Sequence, residues 1–218
     1  MIKAVLFDLD GTLLNTLEDI TRCVNKTLRA FSYPELTQTQ VRAYVGDGAK
    51  KLIERALPKG ADNLEECYDY FCDRFTGANE DTKLYAGEAE VLQRLLSRGV
   101  KLAVVTNKPQ AAAEAVLKKY LPQIEFSFIG GDSGAFPRKP DPSLAYYAAL
   151  TMRVGLSECA FVGDGEADVL TARNCGIPCV ACLWGYRSRE QLQRAGATLF
   201  ASDYKELEKI LEKILEDL

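Results

Sequence analysis

The 218-residue chain contains no histidine. Every mechanism that needs imidazole, as base or as ligand, is excluded, and the chemistry falls to Asp, Glu, Lys, Thr or Cys. It also lacks an uncharged apolar run of the ~18 residues that a membrane-crossing helix needs. The longest candidate, Cys175 to Tyr186, has the length of a core strand. Positive charge is not in excess. The net charge is −4 and the pI about 5.1, which argues against nucleic acid, whose backbone requires a basic face. A small anionic substrate, needing only local positive charge, stays open. The apolar stretch within Met1–Asp10 is too short for a signal peptide and ends in two acids. Seven cysteines, an odd number with no secretory segment, are expected as reduced, mostly buried thiols in a cytoplasmic protein. Neither repeats nor low-complexity stretches occur.

What is present is a soluble globule's composition, 47% hydrophobic and 27% charged. Five short apolar runs, Ala4–Leu9, Val100–Thr106, Phe126–Ile129, Cys159–Gly163 and Ile177–Leu183, lack polar alternation. That is the pattern of strands buried on both faces. Helical stripes separate the later ones: Ala86–Arg98, Ala111–Tyr120, Ser143–Arg153 and Asp168–Cys175, with Tyr204–Leu218 at the end. The alternation predicts a doubly wound parallel sheet, a Rossmann-like α/β core. Between the first and second strands the rhythm breaks. Leu17–Phe31, Gln38–Val45, Ala49–Leu57 and Asn63–Phe75 all read as helices. Roughly seventy helical residues exceed what a crossover needs. The expected organisation is a core of residues 1–14 and 84–218, with residues 15–83 inserted as a helical cap domain.

Four segments carry chemistry. Asp8 and Asp10 stand two apart at the end of the first strand, which predicts both carboxylates on one side. The carboxyl edge of a parallel sheet is where ligands bind. Two like charges there require a cation or a proton between them. An ordinary turn accounts for Asp10-Gly11 but not for Asp8 directly after Val5-Leu6-Phe7. Thr106-Asn107-Lys108 ends the second strand and offers phosphate donors, although Thr-Asn is also common turn chemistry. Lys139 precedes Pro140, which holds it extended; a solvated loop lysine is the competing reading. Asp164 ends a strand and Asp168 follows one helical turn later, where helix starts favour acids in any case. Cys175, Cys179 and Cys182 match an iron–sulfur ligand spacing. Cys179 and Cys182, three apart in one strand, point to opposite faces and read as buried small hydrophobes instead.

Acid pair, Thr, Lys and acid in that order, each after a strand of one sheet, resemble the motif set of the haloacid dehalogenase superfamily over nearly the whole chain. Val45-Gly46-Asp47-Gly48, Gly130-Gly131-Asp132-Ser133 and Leu183-Trp184-Gly185-Tyr186 are similar to the phosphoglycolate phosphatase group. The resemblance implies a magnesium-dependent phosphatase acting on a small phosphorylated metabolite, as a monomer or homodimer. It implies Asp8 as nucleophile and Asp10 as acid and then base. It implies Mg²⁺ on the Asp8 and Asp164 carboxylates and the Asp10 carbonyl. Thr106, Asn107 and Lys139 become phosphoryl ligands, and Asp168 orients Lys139 or the metal's water shell. Gly11 and Gly48 are expected at the substrate. Lys50 is the candidate cation for a carboxylated leaving group, against the reading that the glycines merely turn the chain and Lys50 is solvated. Asn15-Thr16 and Gly165 depart from the residues common in relatives. A sugar phosphomutase, a pyrophosphatase, or a phosphometabolite-binding module without turnover remain alternatives.

Overall fold

In the computed structural model, which describes residues 2–216, the first apolar run becomes β1 (Ala4–Phe7) and a short β2 (Leu14–Asn15) follows. Four helices come next: α1 (Leu17–Ala30), α2 (Gln38–Tyr44), α3 (Ala49–Ala56) and α4 (Leu64–Phe75). The chain then returns through β3 (Lys83–Leu84), α5 (Glu88–Ser97), β4 (Lys101–Pro109), α6 (Gln110–Tyr120), β5 (Phe128–Asp132) and α7 (Ser143–Thr151). It ends with β6 (Cys159–Gly163), α8 (Glu166–Cys175), β7 (Cys179–Cys182), α9 (Arg189–Ala195), β8 (Leu199–Ala201) and α10 (Tyr204–Glu216). The last two positions of the expected C-terminal helix, 217 and 218, lie outside the described residues.

Six strands make one sheet in the order β5-β4-β1-β6-β7-β8, and every pairing in it is parallel. β1 explains why its sequence is uniformly apolar. Val5 and Phe7 pack into the cluster on one face with Leu102 and Val104, while Ala4 and Leu6 pack into the other with Ala103 and Val105. Burial of side chains such as Phe7 and Leu6 stabilises by about 1.5–3 kcal/mol each. The strand order reverses direction at β1, so its carboxyl end lies at the switch point where an open α/β sheet binds ligands. Cys182 faces one of these clusters and Cys179 the others, so the thiols are packed apart. Among the described residues, no helix is long and apolar enough to cross a membrane.

Helices α1–α4 gather around a cluster that includes Ile20, Leu52, Ile53 and Phe71 and that Ala112 of α6 and Tyr186 join from the core. The chain enters and leaves this helical insert through the antiparallel β2–β3 pair, Leu14 opposite Leu84. Asp19 secures the junction. Its buried carboxylate accepts from the backbone N–H groups of Glu80 and Asp81, both at 3.0 Å, and from the Thr82 hydroxyl at 2.6 Å. Strand pairs of two residues leave no pattern in sequence, and neither β8 nor α9, where only Leu192 is buried, has enough apolar positions to be read in advance.

Candidate active site

The sheet's carboxyl edge collects the four motifs. Asp8 directly follows β1, Asp164 follows β6, and Asp168 stands in the first turn of α8. Thr106, Asn107 and Lys108 lie on the end of β4, where the pairing register with β5 shifts between Val105 and Pro109. Regular alternation would turn Asn107 away from its neighbours. With the shift, all three are buried. Lys139 arrives from the β5–α7 connection and is 5% exposed.

Asp8, Asp164 and Asp168 form a carboxylate cluster whose oxygens lie within 4.8 Å of one another. Lys139 Nζ is 2.6 Å from Asp168 Oδ1 and 2.9 Å from Asp8 Oδ1. The second contact is an ion pair, and among the described residues buried Asp8 Oδ1 has no further partner. The backbone N–H of Gly165 donates to Asp168 Oδ2 at 2.8 Å. Thr12 Oγ1 and the Tyr186 N–H donate to the two oxygens of Asp164, each at 2.7 Å. Burial, and then the charges of Asp8 and Asp168, push the Asp164 carboxyl up to about 7. Burial and Asp8 likewise raise Asp168 against the opposing pull of Lys139. For Lys139 itself burial works toward neutrality, but the Asp168 and Asp8 charges outweigh it and hold the ammonium form. Two buried acids and the half-buried Asp8 against one lysine leave negative charge uncompensated. An all-oxygen donor set with a carboxylate oxygen that has no further partner suits a hard divalent cation, which takes few carboxylates and keeps its waters. The residues therefore fit magnesium.

Asp10 is turned differently. Its carboxylate meets Lys108 Nζ at 2.9 and 3.2 Å and accepts from the Thr16 hydroxyl at 2.6 Å; it stands apart from the carboxylate cluster. Lys108 also lies 4.2 Å above the Phe75 ring of α4. Sequence reasoning quoted Lys108 inside its motif without giving it a task; an ammonium packed against the second acid is what the fold adds.

A cavity of about 90 Å³ opens over these groups. Its floor includes Asp8, Asp10, Thr106, Asp164 and Asp168, and its cap side is largely apolar: Ile20, Val45, Ala49, Leu52 and Phe75. Of the expected substrate contacts, Asn107 and Gly48 line the cavity, while Lys50 and Gly11 do not. Lys50 does not line the cavity; its ammonium pairs with Glu65 of α4 at 2.5 Å, because Ala49 and Leu52 occupy the inward face of α3 and Lys50 projects from another. The Asn107 amide is consumed by the backbone: Nδ2 donates to the carbonyls of Gly46 and Lys139, and Oδ1 accepts from the Lys139 N–H. Its side chain ties the cap loop to the lysine loop. Gly11 donates its N–H to the Leu14 carbonyl and, at φ 88°, leaves room for Asp164, whose Oδ2 would lie 2.4 Å from a Cβ there. Gly48 does line the cavity. It also admits Arg138, whose Nε would lie 2.8 Å from a Cβ at φ 89°.

Sequence reasoning gave no task to Thr12, Thr16 or Tyr186, although it singled out the segments holding the last two, and it passed over the arginines at the cap boundary. Thr12, Tyr186 and the arginines act on partners far along the chain, while Thr16 reaches Asp10 six residues away.

Comparison with known proteins agrees with this geometry. Residues 5–182 match the haloacid dehalogenase-like hydrolase family. A phosphoglycolate phosphatase of Xanthomonas campestris pv. campestris is 38% identical over 192 residues, 85% of each chain. One from Pseudomonas syringae pv. tomato is 31% identical over 212 residues, 94% of this chain and 78% of its own. The crystal structure of a predicted phosphoglycolate phosphatase from Haemophilus somnus superposes with a TM-score of 0.88 at 27% identity, covering 96% of this chain and 98% of the other. The acid cluster at the switch point, the four motifs that build it and these matches have one meaning: the chain belongs to the haloacid dehalogenase-like hydrolase family, in its phosphoglycolate phosphatase-like group.

Proposed function

We propose that this phosphoric monoester hydrolase cleaves small phosphomonoesters, 2-phosphoglycolate foremost, in a magnesium-dependent reaction through an aspartyl phosphate on Asp8. One observation carries the reading. The Asp8 carboxylate, 16% exposed, lines a small cavity beside a buried lysine and two buried acids. A carboxylate that reaches the cavity is placed for in-line attack on phosphorus, and covalent catalysis divides the displacement into two easier steps.

In the first step Asp8 forms a bond to phosphorus and the ester oxygen departs, taking a proton from Asp10. In the second, Asp10 recovers a proton from water, whose oxygen displaces Asp8 and releases inorganic phosphate. Lys139 offsets phosphoryl charge, and the Thr106 hydroxyl supplies a hydrogen bond to a phosphoryl oxygen. Asp168 and Gly165 hold Lys139 and the Asp168 carboxylate in register. Magnesium, which Asp8, Asp164 and the Asp10 carbonyl would hold, supplies charge neutralisation at the phosphoryl group.

The cavity volume of about 90 Å³ is small against the ~300–1,000 Å³ of sites for larger ligands. It supports a leaving group of a few heavy atoms and speaks against a mutase, which must turn a sugar bisphosphate over within its site. A panel of phosphomonoesters assayed with Mg²⁺ tests the reading. We expect 2-phosphoglycolate to show the highest kcat/KM. Lys50→Ala should leave its KM within about 2-fold, since an exposed ion pair outside the cavity contributes little. Turnover of no monoester at all would refute the proposal, and a KM rise of ~10-fold or more in Lys50→Ala would return that lysine to the site.

A further inference from the structure

The cap loop is held to the core by two arginines that reach across in opposite directions. Arg42, on α2, donates from Nε to the Tyr186 carbonyl at 2.8 Å and from Nη2 to the Gly185 carbonyl at 2.9 Å. Arg187, on the core loop after β7, donates from Nη1 to the Arg42 carbonyl at 3.0 Å and from Nη2 to the Val45 carbonyl at 2.5 Å. Glu166 fixes the remaining edge of Arg187, accepting from Nε at 2.8 Å. Asn107 adds a fifth cross-boundary bond, from Nδ2 to the Gly46 carbonyl at 3.0 Å.

Each of these cross-boundary bonds ends on a backbone carbonyl. The clasp therefore fixes the path of the cap loop and does not depend on that loop's side chains. The same segments bound the cavity. Val45 and Gly46 form part of its cap side, and Tyr186 and Arg187 part of its core side. Immediately C-terminal to the gripped loop, α3 starts, and it contributes Ala49 and Leu52 to the apolar roof. Where the loop is held, the roof is held, and with it the volume of about 90 Å³.

We propose that the Arg42–Arg187 clasp sets the size limit on the substrate. It keeps the Val45–Gly48 loop and the start of α3 against the core, so that only a small leaving group fits beneath them. Arg42 is a positioning residue in this account: it does not line the cavity, and its effect passes through the loop it grips. Planar guanidinium groups suit this task because each spans two carbonyls at once, which a lysine ammonium does not reproduce with the same geometry. The inference rests on the phosphatase reading above.

The test compares wild type, Arg42→Ala and Arg42→Lys on 2-phosphoglycolate, p-nitrophenyl phosphate and a nucleoside 5′-monophosphate. Arg42 belongs to an exposed position, so its truncation leaves the core packing intact. We expect Arg42→Ala to shrink the small-to-bulky ratio of kcat/KM by roughly 10-fold or more, with the KM for the bulky esters falling. Arg42→Lys should resemble the alanine variant more than wild type. Amide hydrogen exchange across α2 and the Val45–Gly48 loop should quicken in both variants. Equal changes on all three esters, or unchanged exchange in that segment, would overturn the clasp as a size gate while leaving the phosphatase reading in place. Wild-type protein inactive on every ester would instead refute the phosphatase reading, and the inference with it.

Discussion

Asp8→Asn protein folds like wild type and loses turnover on the order of 10⁴-fold or more, the scale at which loss of a covalent nucleophile acts elsewhere. An amide nitrogen or oxygen at this position is a poor nucleophile toward phosphorus, while the side-chain shape is kept. The stability side of the prediction separates chemistry from folding. Asp8's charge is among the causes that raise both Asp164 and Asp168. Removing that charge relieves repulsion in the metal-free cluster, although it also weakens the pairing of Lys139, which keeps Asp168 as a partner at 2.6 Å. The variant's melting temperature without metal should thus match or exceed that of wild type. Retention of even a tenth of the activity would exclude Asp8 as nucleophile. A large fall in melting temperature would mean that the site holds the fold together in a way that the geometry does not indicate.

Removing divalent metal abolishes activity, and Mg²⁺ restores it while Ca²⁺ substitutes poorly. Ca²⁺ prefers six to eight oxygens in looser geometry, which disturbs the alignment of attacking and leaving oxygens. The same site links metal to pH. In the metal-free protein burial and the neighbouring acids push the Asp164 carboxyl up to about 7, well above the usual carboxylate range, and raise Asp168 in the same direction. A raised acid binds more protons folded than unfolded. Its contribution to stability is therefore present at low pH and is lost as pH rises through the folded value. Metal-free protein should melt at a lower temperature at pH 8 than at pH 6. Magnesium, which binds the ionised carboxylates, should raise the melting temperature more at pH 8 than at pH 6. Undiminished activity in EDTA, or a magnesium shift that is larger at pH 6, would contradict the assignment of these acids.

The sequence displayed the core well because its strands are buried on both faces. Cys159–Gly163 carries no polar residue and begins and ends where β6 does. Phe7 followed by Asp8 marks the sheet's edge for the same reason: a carboxylate after three apolar positions must be at the point where the core stops. Helix α3 shows where legibility ended. Its sequence reads as a helix, with Ala49, Leu52 and Ile53 buried in the structure, but the choice between a ligand-facing and a solvated Lys50 stayed open, and the structure pairs Lys50 with Glu65. At Asn107 the sequence did not show the backbone partners of the amide. The irregular end of β4 aims the amide at two backbone carbonyls, and a register shift of that kind has no local signature. Arg42 and Arg187 were invisible in principle. Each is an ordinary surface residue in its own segment, and their bonds join positions more than 140 residues apart.

The central claim is that phosphorus becomes bonded to Asp8, and Asp10→Asn protein offers the most direct view of it. Without a base for the second step, the intermediate should persist. With p-nitrophenyl phosphate, whose leaving group departs without a proton, the first step should still occur. Mixing this variant with p-nitrophenyl phosphate and Mg²⁺, quenching in acid and weighing the peptides should reveal one phosphoryl group on the fragment bearing Asp8, in amounts matching the burst of p-nitrophenol. A burst of p-nitrophenol with Asp8 unmodified would contradict the account.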